Sequence, residues 1–356
     1  MKLIAFLIFK VSLLILSAVI IALAILLLVF YNIFKNFKDP YHKKVTDAGF
    51  VEKTAEIRAV NFNYAEGPNN GPALLLLHAQ HMDWYSYSRV LPALSKSFHI
   101  FAVDYHGHGK TTAKAECMNA NQIGEDLASF IETVIREPAY ISGNSSGGIL
   151  AAWLAANAPQ LAKAVVLEDP SLFSSEYPRI LDTIADKSFS ICYDFVQAGE
   201  DDFLLYWIKN CRGFFIKQVG FDVGPLLEAS IKSYRRSNPG KAVEIIYLPG
   251  ALRLMMRGMS SYDPHFGAAF HDGSWNGSFD HAEALSKIQC PALLLHADFS
   301  LLEDGTLNGA IDQDEADRIV SLIPGVEYKR INSSHVIHLD KPEKYIRIIE
   351  KFFLDS

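Results

Sequence analysis

A sharp turn between a short apolar run and an alanine-rich run constrains this sequence most. The apolar residues 139–141 lead into Gly143–Gly147, which reads Gly-Asn-Ser-Ser-Gly, and a helical pattern follows at once over Ser146–Asn157. A strand, a turn and a helix with glycines on both sides of a serine form the context of a nucleophile elbow, whose strained backbone needs small neighbours. Such a turn would lift the Ser145 hydroxyl off the sheet, beside a helix N-terminus that favours a negative oxygen.

The runs on either side of this turn predict a doubly wound α/β fold with a mostly parallel sheet. Five apolar runs have strand length: Ala73–Leu77, Ile100–Val103, Ala139–Ile141, Ala164–Leu167 and Ala292–Leu295. They are continuous rather than alternating, which is typical of strands buried on both faces. Helical patterns occur at Tyr85–Lys96, Asn119–Arg136, Ser146–Asn157, Asp314–Leu322 and Pro342–Phe353. Residues 51–66 predict the first, antiparallel strands, and the alternation of strands and helices predicts the layered fold.

The N-terminus differs in kind from the rest of the chain. The run from Val11 to Phe34 carries no charge, and at about 1.5 Å per helical residue it spans roughly 36 Å, enough to cross a bilayer. A signal peptide has a shorter apolar region and a small-residue cleavage site, so residues 1–34 are predicted as a retained single-pass membrane anchor; a cleaved, secreted form is the alternative. Lysines flank both ends, with a slight excess after the run that favours a cytoplasmic catalytic domain.

The remainder divides by composition. Residues 35–50 are predicted as a juxtamembrane linker, and residues 51–170 together with 287–356 as the α/β core. The alternation of strands and helices stops over residues 171–286, which are predicted as a helical cap inserted above the sheet. Aromatic residues are frequent there, and some of them would line a substrate pocket: Phe195, Tyr206, Trp207, Phe214, Phe215 and Trp275.

Several classes of function are disfavoured. The net charge is −7 with no Lys/Arg-rich block in the body of the chain, so nucleic-acid binding is not expected. The four cysteines match no zinc spacing, and no dinucleotide or phosphate-cradling loop is present, so neither a metal nor a cofactor is predicted. We expect four free thiols, with a Cys192–Cys211 disulfide as the alternative.

A serine hydroxyl becomes a nucleophile only when a base removes its proton and an acid orients that base. The candidate base is His335, in the loop between a predicted strand, Glu327–Ile331, and the last helix. That loop lies at the C-terminal edge of the sheet, where open α/β sheets place their sites. The competing histidine, His338, is interpreted as a helix-entry or packing residue.

Three carboxylates compete for the role of the acid. Asp298 directly follows the strand run 292–297 and is preferred, because a carboxylate there would reach the histidine ring. Asp169 closes the preceding strand, although it also fits a simple turn before Pro170, and Asp304 lies further along the loop of Asp298.

The oxyanion donors would be two backbone N–H groups, one from Ser146 after the nucleophile and one from Gln80 after the first core strand. The segment Asp104–Gly109, which reads Asp-Tyr-His-Gly-His-Gly, is predicted as a tight structural loop near the site. Its histidines, His106 and His108, are candidate pocket residues only.

These motifs together resemble the α/β-hydrolase fold family over roughly residues 50–355. They occur in the order of the family: Leu75–Ala79, Asp104–Gly109, Gly143–Gly147, and the His335 loop followed by His338 and Lys341–Glu343. The first motif has Ala79 where the family usually has glycine. The resemblance implies a triad in the order serine, acid, histidine, with Ser145 as nucleophile and His335 as base. At the commonest position of the acid this chain has Ser300, and Ser145 argues against the branches that use an aspartate nucleophile.

The expected function is a membrane-anchored serine hydrolase that cleaves an ester, or alternatively an amide or thioester, through an acyl-enzyme. Its partner would be a small acyl substrate, which the anchor and the aromatic segment suggest is lipid-derived. Two alternatives stay open: a non-catalytic binding module on the same fold, and a carbon–carbon bond hydrolase or lyase that uses the same triad.

Overall fold

The computed structural model describes residues 2–35, 37–213, 216 and 220–355. Eight strands form one sheet in the order β1-β2-β4-β3-β5-β6-β7-β10, in which β1 and β2 are antiparallel to their neighbours and the remaining pairs are parallel. The strands of this sheet are β1 Val51–Ile57, β2 Val60–Glu66, β3 Ala73–Leu77, β4 His99–Asp104, β5 Ala139–Asn144, β6 Ala162–Glu168, β7 Ala292–His296 and β10 Glu327–Arg330. A separate two-stranded ribbon joins β8 Ser300–Leu301 to β9 Leu307–Asn308.

Both faces of the central strands are buried, as the continuous apolar runs predicted. Along β3, Leu75 and Leu77 pack into one core, whereas Leu74 and Leu76 pack into the other. Successive side chains of a strand point to opposite faces, so a central strand covered by helices on both sides must be apolar at every position.

The covering helices are α3 Leu91–Leu94, α4 Ala120–Phe130, α5 Ser146–Asn157, α12 Gln313–Leu322, α13 Ile337–Asp340 and α14 Pro342–Leu354. Helix α5 begins and ends where the sequence predicted. The single helix predicted over Tyr85–Lys96 is wrong, because a 3₁₀ helix at Trp84–Arg89 is followed by the separate α3. Pro92 lacks an N–H to donate to the preceding turn, and it therefore sits at the start of a new helix.

Between β6 and β7 the chain is helical and contributes no strand to the sheet in its described residues. Its helices are α6 Asp186–Ala198, α7 Phe203–Asn210, α8 Gly224–Ser237, α9 Gly250–Met259, α10 Pro264–His271 and α11 His281–Lys287. The expected pocket residues Phe214 and Phe215 lie outside the described residues. The boundaries 171 and 286 of a cap remain a prediction.

The N-terminal helix α1, Lys2–Lys35, contains one stretch, Phe9–Ile33, that is long and apolar enough to cross a membrane. This stretch is exposed to solvent along its length. Length and composition alone fit either a membrane span or a signal sequence.

Residues 35–50, expected as a linker, include an ordered helix, α2 at Pro40–Asp47. Charged contacts hold this segment against the helices that follow β6. The Asp39 carboxylate lies 2.5 Å from the Arg253 guanidinium, and the His42 ring lies 2.6 Å from Glu244. A polar sequence without a hydrophobic stripe gives no sign of such docking, because the contacts are with residues some two hundred positions away.

All four cysteines are free thiols.

Candidate active site

The turn after β5 is a nucleophile elbow in its geometry. Ser145 has φ 58° and ψ −121°, a strained conformation that residues with a Cβ rarely adopt. The two glycines make room for it: a Cβ on Gly143 would lie 2.0 Å from the carbonyl oxygen of Gly147, and one on Gly147 would lie 2.3 Å from that of Leu77. The crowding predicted from the sequence is therefore present at both positions.

The edge of the sheet beside this turn carries a close pair of an imidazole and a carboxylate. Nδ1 of His335 lies 2.6 Å from Oδ2 of Asp169, the residue that follows β6. Asp169 is buried, and its other oxygen, Oδ1, accepts a hydrogen bond from the backbone N–H of Ala297 at 3.0 Å. One oxygen of the carboxylate is thus fixed by the residue that follows β7, which directs the other oxygen toward the ring.

The contact with the His335 ring, which the sequence predicted for Asp298, is made by Asp169 instead. Asp298 is exposed, lines the same cavity, and has its carboxylate 3.6 Å from the guanidinium of Arg330. Asp304 is also exposed and accepts the backbone N–H of Thr306 within its own turn. Strands β6 and β7 are parallel neighbours, so the residues after both arrive at one edge of the sheet, and the sequence alone does not say which side chain turns toward the histidine.

The environment of His335 favours its protonated form. Burial alone would lower the pKa of the ring, but the hydrogen bond and charge of Asp169, together with the charge of Glu168, outweigh it and raise the pKa above its ordinary value. A carboxylate on Nδ1 also leaves Nε2 as the nitrogen that can exchange a proton with another group. This is the electrostatic arrangement expected of a general base that becomes an imidazolium during reaction.

Ser145 and His335 line one cavity of about 380 Å³. The cavity wall combines small hydroxyls with a few apolar side chains: Ser171, Ser174, Ser175, Thr183, Ile180, Ile184, Phe189 and Phe270. In this structure Oγ of Ser145 lies 3.1 Å from Oγ of Ser171.

Gln80 also lines this cavity, and its side-chain amide donates to the hydroxyl of Tyr262. In the described part of the chain, the backbone N–H groups of Gln80 and Ser146 have no protein acceptor. Two free N–H groups close to a nucleophile are what an oxyanion hole requires. Both residues remain predictions in that role.

The glycine-containing loop after β4 is structural, as predicted. Buried Asp104 accepts the backbone N–H groups of Trp84 at 2.7 Å and Lys110 at 3.2 Å, and so it closes the loop on itself. His106 and His108 are fully buried, and neither lines the cavity of Ser145. His338 is a buried packing residue in the first turn of α13, in accordance with its interpretation from the sequence.

Three polar residues at the site were missed from the sequence. Asn144 donates through Nδ2 to the carbonyl of His335 at 3.0 Å, Glu168 pairs with His338, and Ser171 contacts the Ser145 hydroxyl. Each lies within two residues of a residue that was considered. A polar side chain at the end of a buried strand is the signal that would have found Asn144 and Glu168.

A mostly parallel sheet with helices on both faces and a strained serine between β5 and α5 defines an α/β hydrolase. The family model of the alpha/beta hydrolase fold matches residues 72–220, a segment that contains the elbow. The chain therefore has the fold of the α/β hydrolases.

Comparisons with curated proteins and solved structures agree with this fold. The pyrrolizixenacetamide deacetylase of Xenorhabdus hominickii is 21% identical over 292 residues, which cover 80% of this chain and 92% of the relative. The 2-(acetamidomethylene)succinate hydrolase of Mesorhizobium japonicum is 29% identical over 120 residues, 34% of this chain and 43% of that relative. The crystal structure of a carboxylesterase from Bacillus subtilis superposes with a TM-score of 0.61 at 17% identity, covering 89% of this chain and 96% of the other. Relatives of this kind support hydrolase activity.

Proposed function

We propose that the protein is a serine hydrolase that cleaves a carboxylic ester through an acyl-enzyme. Ser145 is the nucleophile, His335 the general base and Asp169 the acid that orients it. The observation that carries the proposal is the 2.6 Å contact between His335 Nδ1 and Asp169 Oδ2, on the wall of the cavity that also holds the strained Ser145. A hydrogen-bonded imidazole and a strained hydroxyl in one cavity are the parts that acyl transfer requires.

In the proposed reaction, Oγ of Ser145 leaves its contact with Ser171 and gives its proton to Nε2 of His335 as it attacks the acyl carbon. The carbonyl oxygen becomes an oxyanion that the N–H groups of Gln80 and Ser146 stabilise. The imidazolium then protonates the leaving alcohol, and Asp169 holds the charged ring throughout. Water attacks the acyl-enzyme by the same route and releases the acid, which restores Ser145 and His335.

The cavity suggests a short acyl group. A volume of about 380 Å³ is near the lower end for small-molecule sites, and hydroxyl groups interrupt its apolar wall. We therefore expect p-nitrophenyl acetate and butyrate to be turned over with kcat/KM at least about tenfold above that of the palmitate ester, since methylenes that find no pocket gain no binding energy. A preference for palmitate would instead favour the lipid-derived substrate expected from the sequence.

An amide with a short acyl group is the second candidate. The names of two relatives, the pyrrolizixenacetamide deacetylase and the 2-(acetamidomethylene)succinate hydrolase, both describe acetamide substrates. Comparing p-nitroacetanilide with p-nitrophenyl acetate tests this candidate, because a true amidase hydrolyses both at measurable rates. A protein that reacts with an activated phosphonate but hydrolyses neither would direct attention to carbon–carbon bond cleavage.

We further propose that α1 is retained as a membrane anchor. Its apolar stretch is exposed over its length, and Asp39 and His42, shortly after it, are paired with charged residues of the folded domain. Washing membranes with alkaline carbonate is expected to leave the full-length protein in the pellet, whereas a variant lacking residues 1–35 is released. Recovery of a shortened mature protein in the soluble fraction would identify α1 as a cleaved signal sequence.

A further inference from the structure

A second pair of a histidine and a carboxylate lies close in sequence to the candidate active site, one residue before Asp169 and three residues after His335. Glu168, the last residue of β6, is fully buried, and both of its carboxylate oxygens lie 2.9 Å from Nδ1 of His338. Oε1 also accepts the backbone N–H of His338 at 2.8 Å. His338 is fully buried too, with the ring of Tyr87 stacked on it at 3.9 Å. Burying a carboxylate costs free energy unless it is well paired, so Glu168 depends on its contacts with His338 to be stable in the core.

The main chain of Glu168 contacts the other parts of the site. Its carbonyl oxygen accepts the backbone N–H of Ser145 at 3.1 Å and Nδ2 of Asn144 at 3.0 Å. The same Nδ2 of Asn144 donates to the carbonyl of His335 at 3.0 Å. The next residue after Glu168 is Asp169. One residue therefore joins the elbow, the loop that carries His335 and the carboxylate that pairs with it.

The side chain of Glu168 adds contacts with the residues that follow His335. By binding both the backbone and the ring of His338, it fixes the first turn of α13, which begins two residues after His335. We propose that Glu168 and His338 are positioning residues for the reaction, holding the His335 loop in register with Ser145 and Asp169. This inference rests on the proposed function, and neither residue touches the cavity in which substrate would bind.

The negative charge of Glu168 also acts on His335. It contributes, after Asp169, to raising the pKa of that ring. The other titratable groups that face the pair are His78, Tyr87 and Tyr345. All three are neutral near pH 7, because burial lowers the pKa of His78 to about 3 and raises the pKa of each tyrosine.

On the cavity side of His335 the charged groups are Asp169 and the exposed Asp298, and Asp340 accepts the N–H of the neighbouring Ser334. A change confined to Glu168 leaves all three of these carboxylates in place. A shift in the titration of His335 after such a change therefore reports either the lost charge of Glu168 or the loss of the position that this side chain fixes.

The test is Glu168→Gln, which keeps the size of the side chain and one acceptor but removes the charge. We expect kcat to fall about 10- to 100-fold with KM within about twofold, because a displaced base loses reactivity without changing substrate binding. We also expect the acidic limb of kcat/KM to move to lower pH, since His335 loses part of the charge that stabilises its imidazolium. A purely structural role would lower the unfolding temperature and leave that limb in place.

His338→Gln is the matched variant. The amide of the new glutamine replaces the ring N–H as a donor to Glu168, and the negative charge of Glu168 is retained. The acidic limb of kcat/KM is therefore not expected to move to lower pH, even where kcat falls. The proposal is overturned if the acidic limb of kcat/KM for Glu168→Gln coincides with that of the wild type. It is also overturned if the limb moves to lower pH by the same amount in both variants. Turnover by the wild type that depends on Ser145 is established first, so a failure of the proposed function is recognised separately.

Discussion

Ser145→Ala is expected to lower kcat toward ester substrates by about 10⁴- to 10⁶-fold, with the fold intact. Losing the nucleophile of a triad leaves only the contribution of the oxyanion donors and of substrate binding. Alanine is expected to leave the fold intact, because among the described residues the Ser145 hydroxyl has Ser171 as its hydrogen-bond partner and no other. Steady-state rates with p-nitrophenyl acetate and the thermal unfolding temperature measure the two expectations.

Ser300→Ala serves as the control for Ser145→Ala. Ser300 is exposed on β8, and it stands where the resemblance to the α/β-hydrolase family implies the acid. It is expected to keep wild-type activity within about twofold, as surface substitutions usually do. Comparable activity of Ser145→Ala and wild type would remove the serine from the mechanism.

Asp169→Asn is expected to lower kcat by about 10⁴-fold, whereas Asp298→Asn changes it by about twofold or less. An amide in place of the triad acid favours the wrong tautomer of the histidine and withdraws the charge that stabilises the imidazolium. Asp298 forms no hydrogen bond or ion pair with the His335 ring in the structure, and its carboxylate instead lies 3.6 Å from the guanidinium of Arg330. The same chemical change at two neighbouring loops therefore separates the two candidate acids.

The pH dependence gives a second measurement on this pair. His335 must be neutral to accept a proton, and its pKa is raised in the folded protein. Activity of the wild type is therefore expected to fall as pH decreases through that raised pKa, with a midpoint above the ordinary value of a histidine. The residual activity of Asp169→Asn should lose this limb or show it at lower pH. Full activity of Asp169→Asn together with an inactive Asp298→Asn would restore the assignment made from the sequence.

The sequence predicted those parts of the fold that depend on local pattern. Continuous apolar runs predicted the buried strands, and the crowded Gly143–Gly147 turn predicted the elbow, because both follow from short-range sterics and burial. His335 could be singled out because it follows the last strand of the sheet. Each of these predictions needs only local sequence pattern and the order of strands and helices along the chain.

The contacts that the sequence did not predict depend on how side chains turn at the ends of elements. Asp169 has a positive φ of 43°, and this local conformation, together with the N–H of Ala297, directs its carboxylate to His335. The docking of α2 depends on charged pairs with Glu244 and Arg253, which no local pattern reveals. The predicted strand ended at Leu167 and no role was predicted for Glu168, although its carbonyl accepts the N–H of Ser145 and its side chain binds His338.

The most direct test of the central claim is the site of reaction with a fluorophosphonate. Intact-mass analysis followed by peptide mapping of the labelled wild type is expected to find one adduct, on Ser145, because only an activated serine attacks such a probe. Asp169→Asn should be labelled much more slowly at the same residue. An unlabelled wild-type protein, or an adduct on a different serine, would contradict the account, and an unlabelled one would favour a binding module on a hydrolase fold.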